Sequence, residues 1–218
     1  SNLSSSFAIG LISSKQAINQ VFSNSDGTGT GQFAWVNEII WREFYKYITY
    51  HYPHVSKGKS FNPKYDLISW REDENSFINW CEGKTGIPIV DAAMRQLNQT
   101  KWMHNRLRMI TAMFLSKNLL IDWRKGERYF MENLIDGDFC SNNGGWQWSA
   151  STGVDASPYF RIFNPITQSE KFDPDGKFIK NFVPELNECP SNEIHNPSKE
   201  TRSSLNYPET VSYTHLTL

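Results

Sequence analysis

Apolar residues recur at three- and four-residue spacing in several windows of the chain, whereas alternation at period two is nearly absent. This pattern predicts an all-α, multi-helical protein, because no series of Val/Ile/Thr runs joined by Asn-Gly turns points to a sheet. Ser4 is placed to cap a first helix running to about Phe22, and the Gly/Ser/Thr-rich stretch Asn24 to Gly31 reads as a flexible connector. A long helix is predicted from about Phe33 to Tyr50, ended by His51-Tyr52-Pro53. Lys57 to Leu67 reads as loop, Ser76 to Cys81 as a short helix closed near Gly83, and Ile87 to Leu97 as a helix with Pro88 in its first turn. His104 to Lys117 is the clearest amphipathic helix, with Met103, Leu107, Ile110 and Phe114 facing one way and Asn105 and Arg108 another. A further helix is predicted over Arg124 to Ile135. DGDFCSNNGG, Asp136 to Gly145, reads as a loop dense in Gly and Asn. Beyond Pro184 the composition turns to Asn, Ser, Pro, Thr and Glu, so residues 187–218 read as a loosely ordered tail behind a helical domain over 1–186.

Two tryptophans directly after Asn142-Asn143-Gly144-Gly145 raise a separate question. On a strand Trp146 and Trp148 would share a face; if this segment enters a helix they are turned roughly 200° apart and serve different surroundings.

Composition narrows the class. A chain of 218 residues is long enough to bury a real core. Cys81, Cys140 and Cys189 are odd in number, widely spaced and without a ligand pattern, so neither a disulfide framework nor a zinc site is suggested. A reducing, cytoplasmic setting is expected, nucleoid-associated if the source is bacterial, with a monomer as the simplest state. No apolar run approaches the roughly 18 residues of a spanning helix, which argues against a membrane protein. A start at Ser1, without Met and inside an apparent helix entry, is expected of a piece of a longer chain. The formal net charge is −1, but Lys84 to Arg128 holds nine Lys or Arg against three acids. That section carries a net +6, which by charge alone reads as a solvated helical face.

Several clusters have a chemical reading beside a bland one. Trp35, Glu38 and Arg42 share a stripe of the long helix, with Trp41 three residues from Glu38; the bland alternative is a wet Glu38–Arg42 ion pair and core tryptophans. Trp102, Asn105 and Met109 form a second stripe flanked by Arg106 and Arg108. Asp136-Gly137-Asp138 could open a calcium loop, but Cys140 and Ser141 stand where an oxygen ligand and a glycine are needed, and no metal is expected. Two aspartates and Arg108 could instead bond a polar heterocycle such as a flavin or a nucleobase, or merely cap a loop. All eight tryptophans lie within the first 148 residues, and composition does not decide between core packing and base stacking, cofactor stacking or electron hopping.

The motifs taken together are specific. WREFY (Trp41 to Tyr45), EGKTGIPIVDAAMRQL (Glu82 to Leu97), WMHNRLRM (Trp102 to Met109) and DGD…NNGGWQWSASTGVDASPYFRIFNP (Asp136 to Pro165) resemble the FAD-binding, catalytic domain of the DNA photolyase family. The resemblance implies a helical domain holding FAD in a folded conformation at the bottom of a cavity, and DNA containing a pyrimidine dimer as partner. Photolyases act on a nucleotide turned out of the duplex. The implied reaction uses light and fully reduced FAD to pass an electron to a cyclobutane dimer, whose bonds split before the electron returns. An antenna chromophore of unknown identity is implied for the full-length protein; the α/β domain that carries it in this family is not in this sequence.

The resemblance also assigns residues. Ser1, Leu3 and Ser4 match the family's S-x-L-S at the FAD phosphates. Trp35, Arg42, Trp102 and Arg108 match the lining of the flavin or its phosphates, with Glu38 and Asn105 reaching the cofactor as well. Asp136, Gly137 and Asp138 match the segment reading the flavin ring and its ribityl or adenosine parts, with Arg108 paired to Asp136. Asn142 matches the neutral amide near flavin N5. Glu38, Trp41, Asn105, Arg106, Met109 and Trp148 match positions facing the lesion, and Gln168 a further DNA contact. Trp146, Trp123 and Trp70 match a chain that carries electrons to an oxidised flavin, so Trp146 would serve the flavin and Trp148 the damaged base. Asn105 and Met109 stand where (6-4) photolyases resemble one another in having histidines, which favours a cyclobutane substrate; a cryptochrome-type photosensor and an inactive fragment remain the alternatives. His104 reads as structural.

Overall fold

The computed structural model describes residues 3–24, 29–158 and 161–211, and among these the regular elements are helices, with no strand. The expected first helix is two. α1 (Ser4–Ala8) ends before Gly10, whose φ of 74° leaves the helical region, and α2 (Ser14–Asn24) starts afresh. A reciprocal cap explains the restart: Ser13 Oγ accepts the Gln16 N–H at 3.1 Å while Gln16 Oε1 accepts the Ser13 N–H at 2.9 Å. Much of the expected connector lies outside the described residues. α3 (Thr30–His51) follows, then two 3-10 turns, Pro53–Lys57 and Pro63–Leu67, each opened by a proline at its first position.

Caps account for the next boundaries. α4 (Glu74–Glu82) begins where the Asp73 carboxylate accepts the Ser76 N–H, and it stops at Gly83, a left-handed residue with φ of 65°. α5 (Pro88–Thr100) carries the densest core: Ile89, Val90, Ala92, Ala93, Met94 and Leu97 are all buried, because α4, α6, α9 and α10 pack around it. α6 (Asn105–Met113) runs into a single π turn, Phe114–Asn118, so the amphipathic segment changes pitch in its last third. α7 (Trp123–Asn133) is capped by Asp122. α9 (Pro165–Phe172) is capped by Asn164, and α10 (Lys177–Phe182) and α11 (Lys199–Ser204) complete the set.

Two further expectations are overturned. DGDFCSNNGG is only briefly a loop, since α8 (Phe139–Ser149) takes in Asn142 to Gly145. Asp138 caps it, accepting the Ser141 N–H and hydroxyl at 2.9 Å each. The glycine density there serves close packing: a Cβ on Gly144 would overlap the Tyr45 ring of α3, and one on Gly126 of α7 would overlap Trp146. The tail, too, is packed as far as Val211. Cys189, Ile194 and Tyr207 join the core, and buried Arg202 donates to the carbonyls of Pro197, Gly86 and Pro208 at 2.8–2.9 Å. Residues 212–218, most of the stretch VSYTHLTL, lie outside the described residues.

α8 occupies the centre, between α3 on one side and α7 and α6 on the other. Beneath it Trp80, Phe130 and Trp146 form one aromatic cluster, with centroids 5.8 Å apart for Trp80–Phe130 and 5.0 Å for Phe130–Trp146.

Candidate functional site

The ends of these elements enclose a cavity of about 600 Å³, within the size range of small-molecule and cofactor sites. Leu3, Ser4 and Phe7 of the first turn form one edge, and Trp35, Glu38, Ile39 and Arg42 of α3 form a wall. Trp102 to Asn105, then Arg108 and Met109, supply the facing wall; Asp136 to Asp138 and Ser141, Asn142, Gly145, Trp146 and Ser149 of α8 make the floor. The period of α3 puts Trp35, Glu38 and Arg42 together, and that of α8 does the same for Asn142, Gly145 and Ser149.

Charge is arranged in pairs. Arg108 Nη2 donates to both oxygens of the Asp136 carboxylate, at 2.9 and 2.8 Å, and its Nε donates to the Met103 carbonyl at 2.8 Å. Arg42 Nη2 donates to Asp138 at 3.2 Å and to the Phe7 carbonyl at 3.1 Å, tying the first turn to α3 and α8. Arg42 is thus drawn to Asp138 and Glu43, and Glu38 lines the cavity. The pairing expected for Arg108 and Asp136 is present.

Asn142 Nδ2 donates to the Glu127 carbonyl at 2.9 Å. A carbonyl only accepts, so the nitrogen of this amide is fixed against α7. Behind it, burial pushes the Glu127 carboxyl above its ordinary value, against the opposing effects of the Asn143 amide and Arg128. His104 does have the structural role expected of it, since its Nδ1 accepts the Arg106 N–H at 3.1 Å and caps α6. Yet it also lines the cavity.

All the cofactor residues expected within the described chain line this one cavity: Leu3, Ser4, Trp35, Glu38, Arg42, Trp102, Asn105, Arg108, Asp136, Gly137, Asp138 and Asn142. Ser1 lies outside the described residues. Of the residues expected at DNA, Glu38, Asn105 and Met109 line the cavity as well, while Trp41, Arg106, Trp148 and Gln168 do not. Trp41 is exposed and leans on Phe44 and Tyr45; Arg106 lies over the Phe172 ring at 4.8 Å; Gln168 is half-buried on α9. Trp148 instead lines a small pocket with Tyr45 and Phe61. Trp146 is buried and borders the cavity, Trp123 is fully buried, and Trp70 is half-buried against the core. The helix reading of the two-tryptophan question therefore holds.

Sequence reasoning passed over Phe7, Gly145 and Ser149 as cavity residues, and Trp80 as the ring 6.0 Å from Trp146. Gly145 and Ser149 follow Asn142 at helical spacing, a signal hidden by reading the stretch as loop.

A family model described as the FAD binding domain of DNA photolyase matches residues 35–215. The chain belongs to this family. The match runs through the packed segment after Leu186, in keeping with its burial. The photolyase-family chain is 53% identical over 218 residues to the deoxyribodipyrimidine photo-lyase of Escherichia coli strain K12, covering 97% of this chain and 46% of that protein. It superposes on the bacterial class III photolyase of Agrobacterium tumefaciens with a TM-score of 0.87 at 45% identity, over 97% of this chain and 45% of that one. A cryptochrome from Synechocystis sp. PCC6803 gives the same TM-score, 0.87, at 34% identity, over 97% of this chain and 46% of its own. The chain spans about half the length of the curated relatives it matches. FAD is the cofactor of this family's domain, and the donor set fits it: paired arginines for phosphate oxygens, carboxylates and an amide for a polar ring, and indoles for flat aromatic surface. No helix among the described residues is long and apolar enough to cross a membrane, and no group of His, Cys, Asp and Glu among them could hold a metal ion.

Proposed function

We propose that this chain is the cofactor-holding, catalytic part of an enzyme that splits cyclobutane pyrimidine dimers in DNA under light. One observation carries the reading: the twelve cofactor-type residues, scattered from Leu3 to Asn142, converge on a single cavity whose two arginines are held by two carboxylates. Reduced FAD, when bound, supplies the light absorption and the electron. The chain's own groups do the rest. Arg42 and Arg108 stand ready for phosphate oxygens, and Asp136, Asp138 and the fixed amide of Asn142 orient the ring. Glu38 and Asn105 give hydrogen-bonding edges to flipped bases, Trp41 and Trp148 give flanking aromatic surface, Met109 gives an apolar contact, and Arg106 and Gln168 reach the strand.

Trp146, Trp123 and Trp70 carry electrons inward when the flavin has become oxidised, a role supported by Trp146 bordering the cavity and Trp70 being only half-buried. The enzyme acts as a monomer on DNA in the cytoplasm, and at the nucleoid if bacterial. A photosensor that signals instead of repairing is the second reading, favoured only by the equal superposition on the cryptochrome.

The test uses dimer-containing single-stranded DNA, reduced FAD and blue light, with a dark control. Light-dependent restoration of the dimer is expected; photoreduction without repair would give the photosensor reading, and equal activity in darkness would sink both. Trp146→Phe should slow flavin photoreduction at least tenfold while leaving repair by pre-reduced protein intact.

A further inference from the structure

Three glycines stand on or against α8, and they are glycine for different reasons. Gly126 passes beneath Trp146, and Gly144 beneath Tyr45; in both places an added methyl would meet a ring of the protein itself. Gly145 meets nothing. Apart from its chain neighbours and the backbone of its own helix, a Cβ built there has no protein atom within 4 Å, although Gly145 lies in the middle of an 11-residue helix and is not at a chain end or a turn. A mid-helix glycine is unfavourable relative to alanine, so a position with room for a methyl and none present needs a cause outside the chain.

The direction in which that methyl would point supplies the cause. Gly145 lines the large cavity, on the stripe that also presents Asn142 and Ser149. Its carbonyl is already engaged, accepting the Ser149 hydroxyl at 3.0 Å, so the surface offered to the cavity here is flat and small. Asn142 bonds back to α7 through its nitrogen and does not cover the glycine. The result is a shallow step in the cavity floor between a polar amide and a hydroxyl. A planar conjugated ring can lie on such a step at van der Waals contact with the backbone, about 3.5 Å between carbon atoms; a side chain would lift it off.

We propose that Gly145 is the position that lets the flavin ring seat against α8, and so sets the depth and tilt at which the ring faces Asn142. The inference rests on the reading of the cavity as the FAD site. It makes Gly145 a specificity-determining residue for a flat tricyclic ligand.

Gly145→Ala separates this role from a packing role, because the two predict opposite outcomes in the same protein. Thermal unfolding of the chain without flavin should be unchanged or raised by about 2 °C, as a helix-favouring residue enters open space. FAD affinity, titrated by the quenching of flavin fluorescence, should fall at least tenfold, and the visible band of any bound flavin should lose its vibrational structure. Gly144→Ala is the contrast, with a lowered midpoint even before flavin is added. If the parent chain binds FAD and Gly145→Ala binds it equally well, the proposal is overturned and the cavity reading survives. A lowered flavin-free midpoint in Gly145→Ala would also overturn it, by making the glycine structural. A parent chain that binds no FAD up to 1 mM, roughly the weakest affinity of interest, would bring down the cavity reading and this inference with it.

Discussion

Asp91 and Asp136 are both buried carboxylates in helical surroundings, and they end in opposite situations. Asp91 is sealed. It accepts the Thr85 N–H at 2.7 Å, the Thr85 hydroxyl at 2.6 Å, the Gly86 N–H at 3.0 Å and the Tyr207 hydroxyl at 2.5 Å, all from within the chain. Burial still pushes its carboxyl above the ordinary value, and the donors oppose this only in part. Asp136 is held by one partner, Arg108, and looks into open space. A polar group satisfied on every side fastens parts of a fold together; one satisfied on a single side is left for something that arrives later.

The largest expected break in this contrast is Asp91→Ala. It strands two amides, a hydroxyl and a phenol without their acceptor and leaves a void, which should cost about 3 kcal/mol or more in urea unfolding, with flavin affinity per folded molecule unchanged. Arg108→Ala should reverse the balance. Water can enter the cavity to solvate Asp136, so the stability cost should be smaller, about 1–2 kcal/mol, while FAD affinity falls at least tenfold. Equal stability costs for the two variants would remove the distinction between sealed and open regions.

Lys117 sharpens the comparison with a smaller effect. Its ammonium is buried and donates to the carbonyls of Arg161 at 2.9 Å and Pro158 at 3.4 Å. Burial first, and then the charge of Arg161, lower it from 10.5 to about 8. Between pH 8 and 10 the folded protein has lost a proton that the unfolded chain still holds, so this group makes stability rise with pH; below 8 its full penalty is present. In Lys117→Met that contribution disappears. The difference in unfolding free energy, wild type minus variant, should therefore grow by roughly 2 kcal/mol from pH 8 to pH 10. A flat difference would mean that the lysine is better solvated than its burial indicates.

Much of the open region was legible in the sequence, and little of the sealed one. Trp35, Glu38 and Arg42 share a helical stripe that spacing alone brings together, and Arg108 with Asp136 is a charge pairing that the family resemblance singles out. The sealed region depends on contacts across great separations: Tyr207 and Asp91 are 116 positions apart, and the segment that carries Tyr207 is polar enough to look unstructured. Its order comes from a few specific bonds and a few buried apolar residues, which leave no periodic trace. The break between α1 and α2 was legible in principle, as Ser13 and Gln16 spell a reciprocal cap. α8 was hidden for a different reason. Glycines that admit neighbouring rings look in one dimension like glycines that allow turns.

α8 is also unusual in its exposure. None of its eleven residues is more than partly exposed, although seven of them are polar or glycine. One side is occupied by Tyr45, another by α7, and the rest by the cavity floor. Such a helix has no neutral ground on which substitutions can accumulate unseen. Each position answers to a neighbour, whether a ring, a backbone carbonyl or a ligand, so sequence drift here is constrained from several directions at once. Over long divergence this element should change more slowly than the apolar core around Val90 and Met94, where one aliphatic side chain can replace another of similar volume.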